Sequence, residues 1–273
     1  MSTPTVIAAT DLSPRSAHVA GRAARIARRL GARLIVAHVA DGGALAGLGR
    51  GAGQVSDSLD ALAAEHGGEA HLLQGPPDAA LAELATGQTA RLLVLGLHNE
   101  RRVLDLLRLT TMERITLAAP CPVLIAHQPP AEDYEQVLCA TDFSRASATS
   151  MAIAAQIAPR ARFHAVHALQ LPIGAIFKLG QNETDKALTG AEALMDDFLN
   201  APGLPALAEP PEIVPGGVHQ VLAFRCAELA ADLVCIGTHA GQDDRDLGNF
   251  ARDLMRAPPT DLLIAKPGQD APG

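Results

Sequence analysis

Short apolar runs alternate with stretches in which alanine and leucine recur at helical spacing, and the alternation holds along most of the chain. An unbroken apolar run fits a strand covered on both faces, and a 3.6-residue period fits an amphipathic helix beside it. Residues 5–9 read as a strand and 13–30 as a helix carrying Ala17, Ala20, Ala24, Ile26 and Ala27 amid arginines, with Gly31 as its stop. Ser13 is expected as the N-cap of that helix, with Pro14 in its first turn, where a missing N–H costs nothing. Strands follow at 33–39, 70–74, 92–96 and 122–126, and helices at 55–65, 78–86 and 111–119. The Gly-rich segment 41–54 reads as a loop over the carboxyl edge of the sheet.

The second half repeats the first. Strands are expected at 136–140, 162–167, 212–215, 233–237 and 261–265, and helices at 147–158, 184–200, 218–230 and 249–256. The insert at 170–182 parallels the loop at 41–54, and Ser144 can cap its helix as Ser13 does. Landmarks recur in order: Asp11 with Asp142, His38 with His167, Gly96 with Gly237, His98 with His239. Four ordered landmarks on the same strand–helix alternation indicate a tandem duplication. The fold class expected is α/β, two tandem doubly wound five-stranded parallel-sheet domains related by pseudo-twofold symmetry. The domains are placed at 1–128 and 135–273, joined by a short segment stiffened by Pro129 and Pro130. A linker this short is expected to pack the two halves together, and a further homodimer stays open.

Composition narrows the function classes. The chain has 273 residues and a formal charge of -8, which argues against a nucleic-acid backbone as partner. With no Trp, one Tyr and six Phe, stacking on single strands is also disfavoured, and aliphatic side chains must fill the core. No secretory core and no membrane-length apolar run is seen, so a cytoplasmic protein without a membrane partner is expected. Cys121, Cys139, Cys226 and Cys235 form no C-x-x-C pair and read as buried thiols.

Chemistry-bearing patterns are few. His164 and His167 are three apart on a strand and point to opposite faces, so no metal site is expected from them. His98 and His239 follow strand four in each half, without a helical or knuckle ligand pattern. No G-x-S-x-G elbow, Walker A motif or G-x-G-x-x-G is present, and no catalytic residue is assigned. Asp11 and Asp142 could act as bases, but a structural role in the turn is the simpler reading. The arginines at 22, 25, 28 and 29 read most simply as a solvated helix face.

The ordered set of motifs resembles the universal stress protein family in its tandem two-domain form. Carrying pieces are Thr10-Asp11-Leu12-Ser13 and Thr141-Asp142-Phe143-Ser144, the strand end at His38 to Asp41, Gly237-Thr238-His239, and the run from Cys121 to Ile125. The resemblance implies an adenine nucleotide alpha hydrolase-like fold. It also implies, for a subgroup, ATP held between the first and fourth strands by G-x-x-G, nine residues, then G-[S/T]. Glycines there admit close backbone approach to phosphate, and the next helix offers its N-terminal N–H groups.

Against that pattern the halves differ. The first reads Gly96-Leu-His-Asn99, with Leu109 at the late glycine and Glu100 where phosphate would lie, offset in part by Arg101, Arg102 and Arg108. The second keeps Gly237, Gly241 and Gly248 with a shifted, shorter loop, Asn249 in place of the hydroxyl residue, and Asp243, Asp244 and Asp246 between. The implied adenine-nucleotide residues are therefore in the second half: Asp142, Ala168, Gly237, His239, Gly241, Gly248 and Asn249. ATP, ADP or AMP fits that reading, with Mg only alongside a nucleotide. Three functions stay open: a cytoplasmic stress-response regulatory module that binds adenine nucleotide in its second domain, a scaffold that binds none, and a weak metal-dependent ATPase.

Overall fold

The computed structural model describes residues 3–14, 16–40, 52–97, 109–127, 133–169, 181–238, 247–266 and 268–269. The chain divides into two compact units, Met1–Asp133 and Tyr134–Gly273.

In the first unit the described elements are β1 (Thr5–Ala9), α1 (Ala17–Leu30), β2 (Arg33–Ala40), α2 (Ala52–His66), β3 (Glu69–Gln74), α3 (Pro77–Gly87), β4 (Ala90–Gly96), α4 (Thr111–Ala118) and β5 (Val123–Ala126). All strand pairs are parallel, and the order is β3-β2-β1-β4-β5. β1 is central, with Ala8 beside Val36 on one flank and Val94 on the other. Chain order therefore reverses between β1 and β4, the switch point where open α/β sheets leave a crevice beyond the strand ends.

The composition explains the layers. Val6, Ile7, Ala8, Leu93 and Val94 have no exposed surface, as strands covered on both faces require. α1 packs on the sheet with small residues, Ala20, Ala23, Ala24 and Ala27, so helix and strands approach closely without large aromatics. The opposite face is filled by Ile7, Ile35, Leu81, Leu93, Ile115 and Val123. Gly31 ends α1 in the left-handed region, its φ of 59° being one that glycine adopts without a Cβ clash.

The second unit has β6 (Gln136–Ala140), α5 (Arg145–Ile157), β7 (Arg162–Leu169), α6 (Gln181–Leu199), β8 (Glu212–Pro215), α7 (Val218–Leu229), β9 (Leu233–Gly237), α8 (Asn249–Arg256) and β10 (Asp261–Ala265). Its strands are again parallel, in the order β8-β7-β6-β9-β10, so β6 and β9 flank the switch point as β1 and β4 do. The α/β, parallel-sheet class is the one the alternation of apolar runs implies.

Two local expectations are corrected. Ser13 does not cap α1: the helix begins at Ala17, after a turn in which Ser16 N–H donates to Ser13 O at 3.0 Å. Ser144 does cap α5, accepting from Ser147 N–H at 3.2 Å. The arginine face of α1 is not uniformly solvated, since Arg22 is 6% exposed and Arg29 pairs with Asp133. Lateral packing of α1 takes the Arg22 stem into the layer, as long side chains permit. The expected loops at 41–51 and 170–180, and the residues at 98–108, lie outside the described residues.

One buried polar pair ties the start of the second unit to its last strand. Tyr134 Oη donates to Asp261 Oδ2 at 2.6 Å, and both residues are buried. Deleting the hydroxyl takes a donor from a buried carboxylate, a loss of about 1–3 kcal/mol. Tyr134→Phe is expected to lower stability by that amount in urea unfolding followed by far-UV circular dichroism, with an unchanged m-value.

Candidate functional site

Each unit ends its central strand in the same turn, and the two turns are bonded alike. Thr10 Oγ1 accepts from Leu12 N–H at 3.0 Å, and Asp11 Oδ1 from Ser13 N–H at 2.9 Å. Thr141 Oγ1 accepts from Phe143 N–H at 2.8 Å, and Asp142 Oδ1 from Ser144 N–H at 3.0 Å. These are local side-chain turns, which is why Thr, Asp and Ser stand at these spacings. The carbonyls of Thr10 and Thr141 can only accept, so His38 Nδ1 and His167 Nδ1 donate to them, at 2.8 and 2.9 Å. The histidine on the second strand thus locks the turn on the first. Leu12 and Phe143 hold φ of 58° and 61°, a left-handed conformation that costs a non-glycine residue roughly 1 kcal/mol and persists because its neighbours fix it.

The units diverge three residues further on. Ser16 Oγ meets Thr10 Oγ1 at 2.7 Å and donates to Ser13 O at 3.1 Å, just before α1 begins at Ala17. Ser147, the matching residue, instead sends its hydroxyl to Asp142 Oδ1 at 2.7 Å from within α5, which has already begun at Arg145. The early start drives the Ala146–Ser147 peptide against the end of β9. A Cβ on Gly237 would lie 2.2 Å from Ala146 C and 2.3 Å from Ser147 N. At Gly96 the nearest atoms are the Val19 Cγ2 methyl, at 3.0 Å, and Ser16 Cβ, at 3.7 Å.

A crevice lies over the switch point of the first unit, with a volume of about 800 Å³. Ala9, Ala37, Val39, Leu81, Leu95 and Ile115 give it apolar walls, while Thr10, Asp11, Ser13, Ser16, His38, Thr111 and Arg114 supply polar groups. The volume lies within the range of small-molecule sites, and few polar groups among apolar walls is their usual pattern. Ser13 Oγ lies in this lining, inaccessible to solvent and without a hydrogen-bond partner among the described residues. α4 opens at the far side with a capping box: Thr110 Oγ1 accepts from Glu113 N–H at 3.2 Å, and the Glu113 carboxylate accepts from Thr110 N–H at 2.6 Å. Thr110 and Thr111 follow Leu109 in sequence, so the hydroxyl signal for this cap was legible, whereas the depth of the crevice was not.

The residues singled out in the second half fall in several places. Asp142 and Gly237 both meet the first turn of α5, Asp142 through Ser147 and Gly237 through the Ala146–Ser147 peptide. Ala168, half-buried, lies in β7 beside Val214, one residue from His167. Phe143 rests against the His167 ring at 5.1 Å and the Phe198 ring at 5.5 Å, so aromatic side chains cover this end of β6 and β7. Gly248, at φ 79°, is the N-cap of α8, and Asn249 is its first residue. His239, Gly241 and the carboxylates at 243, 244 and 246 lie outside the described residues, as does His98.

The remaining candidates have separate partners. His164 Nε2 meets Gln136 Oε1 at 3.3 Å, away from the Thr141 carbonyl that holds His167, and desolvation pushes its pKa down. Among the described residues no three His, Cys, Asp or Glu side chains are grouped to hold a metal ion. The four cysteines are free and buried. The neighbouring Cys235 thiol and burial raise the Cys139 thiol pKa, and burial alone raises that of Cys226 to about 11, so both stay protonated at neutral pH. No helix among the described residues is long and apolar enough to cross a membrane.

Residues 3–127 match the Universal stress protein family. Through them, the first unit is similar to that family. Across both units its fold resembles that of a putative universal stress protein from Pseudomonas aeruginosa UCBPP-PA14, 16% identical, covering 97% of this chain and 93% of that one with a TM-score of 0.67. A universal stress protein from Archaeoglobus fulgidus DSM 4304 is 17% identical over 97% of each chain, also at 0.67. At these identities the likeness speaks to fold. A universal stress protein solved in complex with cAMP is 26% identical, covers 46% of this chain and 98% of its own, and has a TM-score of 0.39. No curated protein matches the chain in sequence.

The glycines that end β4 and β9 are expected to tolerate substitution differently. Gly96→Ala meets a side-chain methyl and should cost about 1 kcal/mol, whereas Gly237→Ala meets backbone and should cost ~3 kcal/mol or more. Soluble yield and urea midpoints of the two variants, measured side by side, check this.

Proposed function

We propose that the protein is a stress-response regulatory module whose first unit binds an adenine nucleotide in the crevice between β1 and β4. The observation that carries this reading is the cavity of about 800 Å³ at the switch point, lined by Ser13 and Ser16 ahead of α1. Its contents suit the ligand. Ala37, Val39 and Leu95 provide apolar surface for a flat base. Ser13 Oγ and the His38 ring provide polar groups for its edge or its sugar. The motifs through which the chain resembles nucleotide-binding family members imply the same ligand class, although Leu109 stands where their late glycine would be.

A second reading, with the nucleotide in the second unit, is favoured by Gly248. It keeps the positive φ that glycine allows, has no atom of the described residues within 4 Å of where a Cβ would be, and stands at the start of α8. Against that reading stands the contact of Gly237 with α5, whose Ala146–Ser147 peptide lies where a Cβ on Gly237 would be.

Isothermal calorimetry with AMP, ADP and ATP, with and without Mg, separates the readings. Ser13→Trp puts an indole into the first crevice at a position whose hydroxyl has no partner to lose, and should weaken binding at least about tenfold. Gly248→Leu should leave it unchanged. The reverse result assigns the nucleotide to the second unit, and an absence of binding by the native protein leaves the scaffold reading.

A further inference from the structure

We propose that the crevice of the first unit selects a ligand with one compact phosphate, held by the Arg114 guanidinium, and disfavours a polyphosphate chain. This rests on the reading that the first unit binds an adenine nucleotide.

The start of α4 is where a phosphate would ordinarily meet helix N–H groups, but here the chain supplies its own anion. Glu113 is fully buried, and its carboxylate accepts from Thr110 N–H while Thr110 Oγ1 takes the N–H of Glu113. Two terminal donors are thereby occupied, and the favourable end of the helix dipole faces a carboxylate. A second anion brought to that end would meet negative charge. The next residue offers the alternative. Arg114 lines the crevice, its side chain is 45% exposed, and its Nε lies 3.8 Å from Asp78 Oδ2, a loose pairing that leaves the terminal nitrogens of the fork free to turn inward. A planar guanidinium matches one phosphate through two parallel hydrogen bonds.

The charge balance of the lining sets the limit. Among the described lining residues Arg114 is the permanent cation, opposed by Asp11 in the lining and by Asp78 beside it. One phosphate finds a partner in this arrangement. For the second and third phosphates of a triphosphate no further cation lines the crevice among the described residues, and Leu109 stands where backbone could otherwise approach.

The test is equilibrium binding of adenosine, AMP and ATP to the native protein, Arg114→Met and Asp78→Asn, without added divalent metal. The native protein is expected to bind AMP about tenfold more tightly than adenosine and no less tightly than ATP. Arg114→Met should erase the advantage of AMP over adenosine, and Asp78→Asn should enlarge it by removing a competing carboxylate. Equal weakening of adenosine and AMP by Arg114→Met overturns the proposal, as does tighter native binding of ATP than of AMP. Adenosine binding with no gain for AMP overturns the phosphate assignment alone. No binding of any of the three removes the nucleotide reading and this proposal with it.

Discussion

The turn that closes the central strand of each unit is the constraint on which the rest depends. A threonine hydroxyl and an aspartate carboxylate each accept a backbone N–H two residues on, and a histidine from the next strand donates to the threonine carbonyl. This fixes a left-handed residue, Leu12 or Phe143, at the mouth of the sheet and directs the chain into the following helix. Up to that residue the hydrogen bonds of the turn match in the two units. What differs is the partner of a later serine: Ser16 Oγ meets Thr10 Oγ1, whereas the Ser147 hydroxyl donates to Asp142.

The helices beside the two switch points begin at different places. α1 begins at Ala17, with Ser13 and Ser16 in the lining of a cavity; α5 begins at Arg145, and its Ala146–Ser147 peptide lies where a Cβ on Gly237 would be. A glycine kept in a nucleotide motif and a glycine kept because a helix presses on it look identical in a sequence. At Gly237 a Cβ would meet the Ala146–Ser147 backbone.

The duplication, the parallel strands and the strand-end histidines were legible because each leaves a local mark: apolar runs, a 3.6-residue period and repeated Thr-Asp-x-Ser motifs. The cap of α5 was legible at Ser144 for the same reason, since a serine before an alanine-rich stretch usually caps it. Ser13 misled because the same signal competes with a tertiary bond, Ser16 to Thr10, that spacing alone does not reveal. Arg22 misled likewise, as burial of an arginine stem depends on what packs beside it. The relative openness of the two switch points is a property of backbone placement over a few ångströms. Motif comparison drew attention to the second half, while the cavity lies in the first.

Hydrogen–deuterium exchange with and without saturating AMP tests most directly the proposal that the nucleotide lies at the first switch point. The account predicts slowed exchange at residues 9–16 and 37–40, with residues 140–148 unchanged. Protection at 140–148 and around 247–250, with none in the first unit, would contradict it.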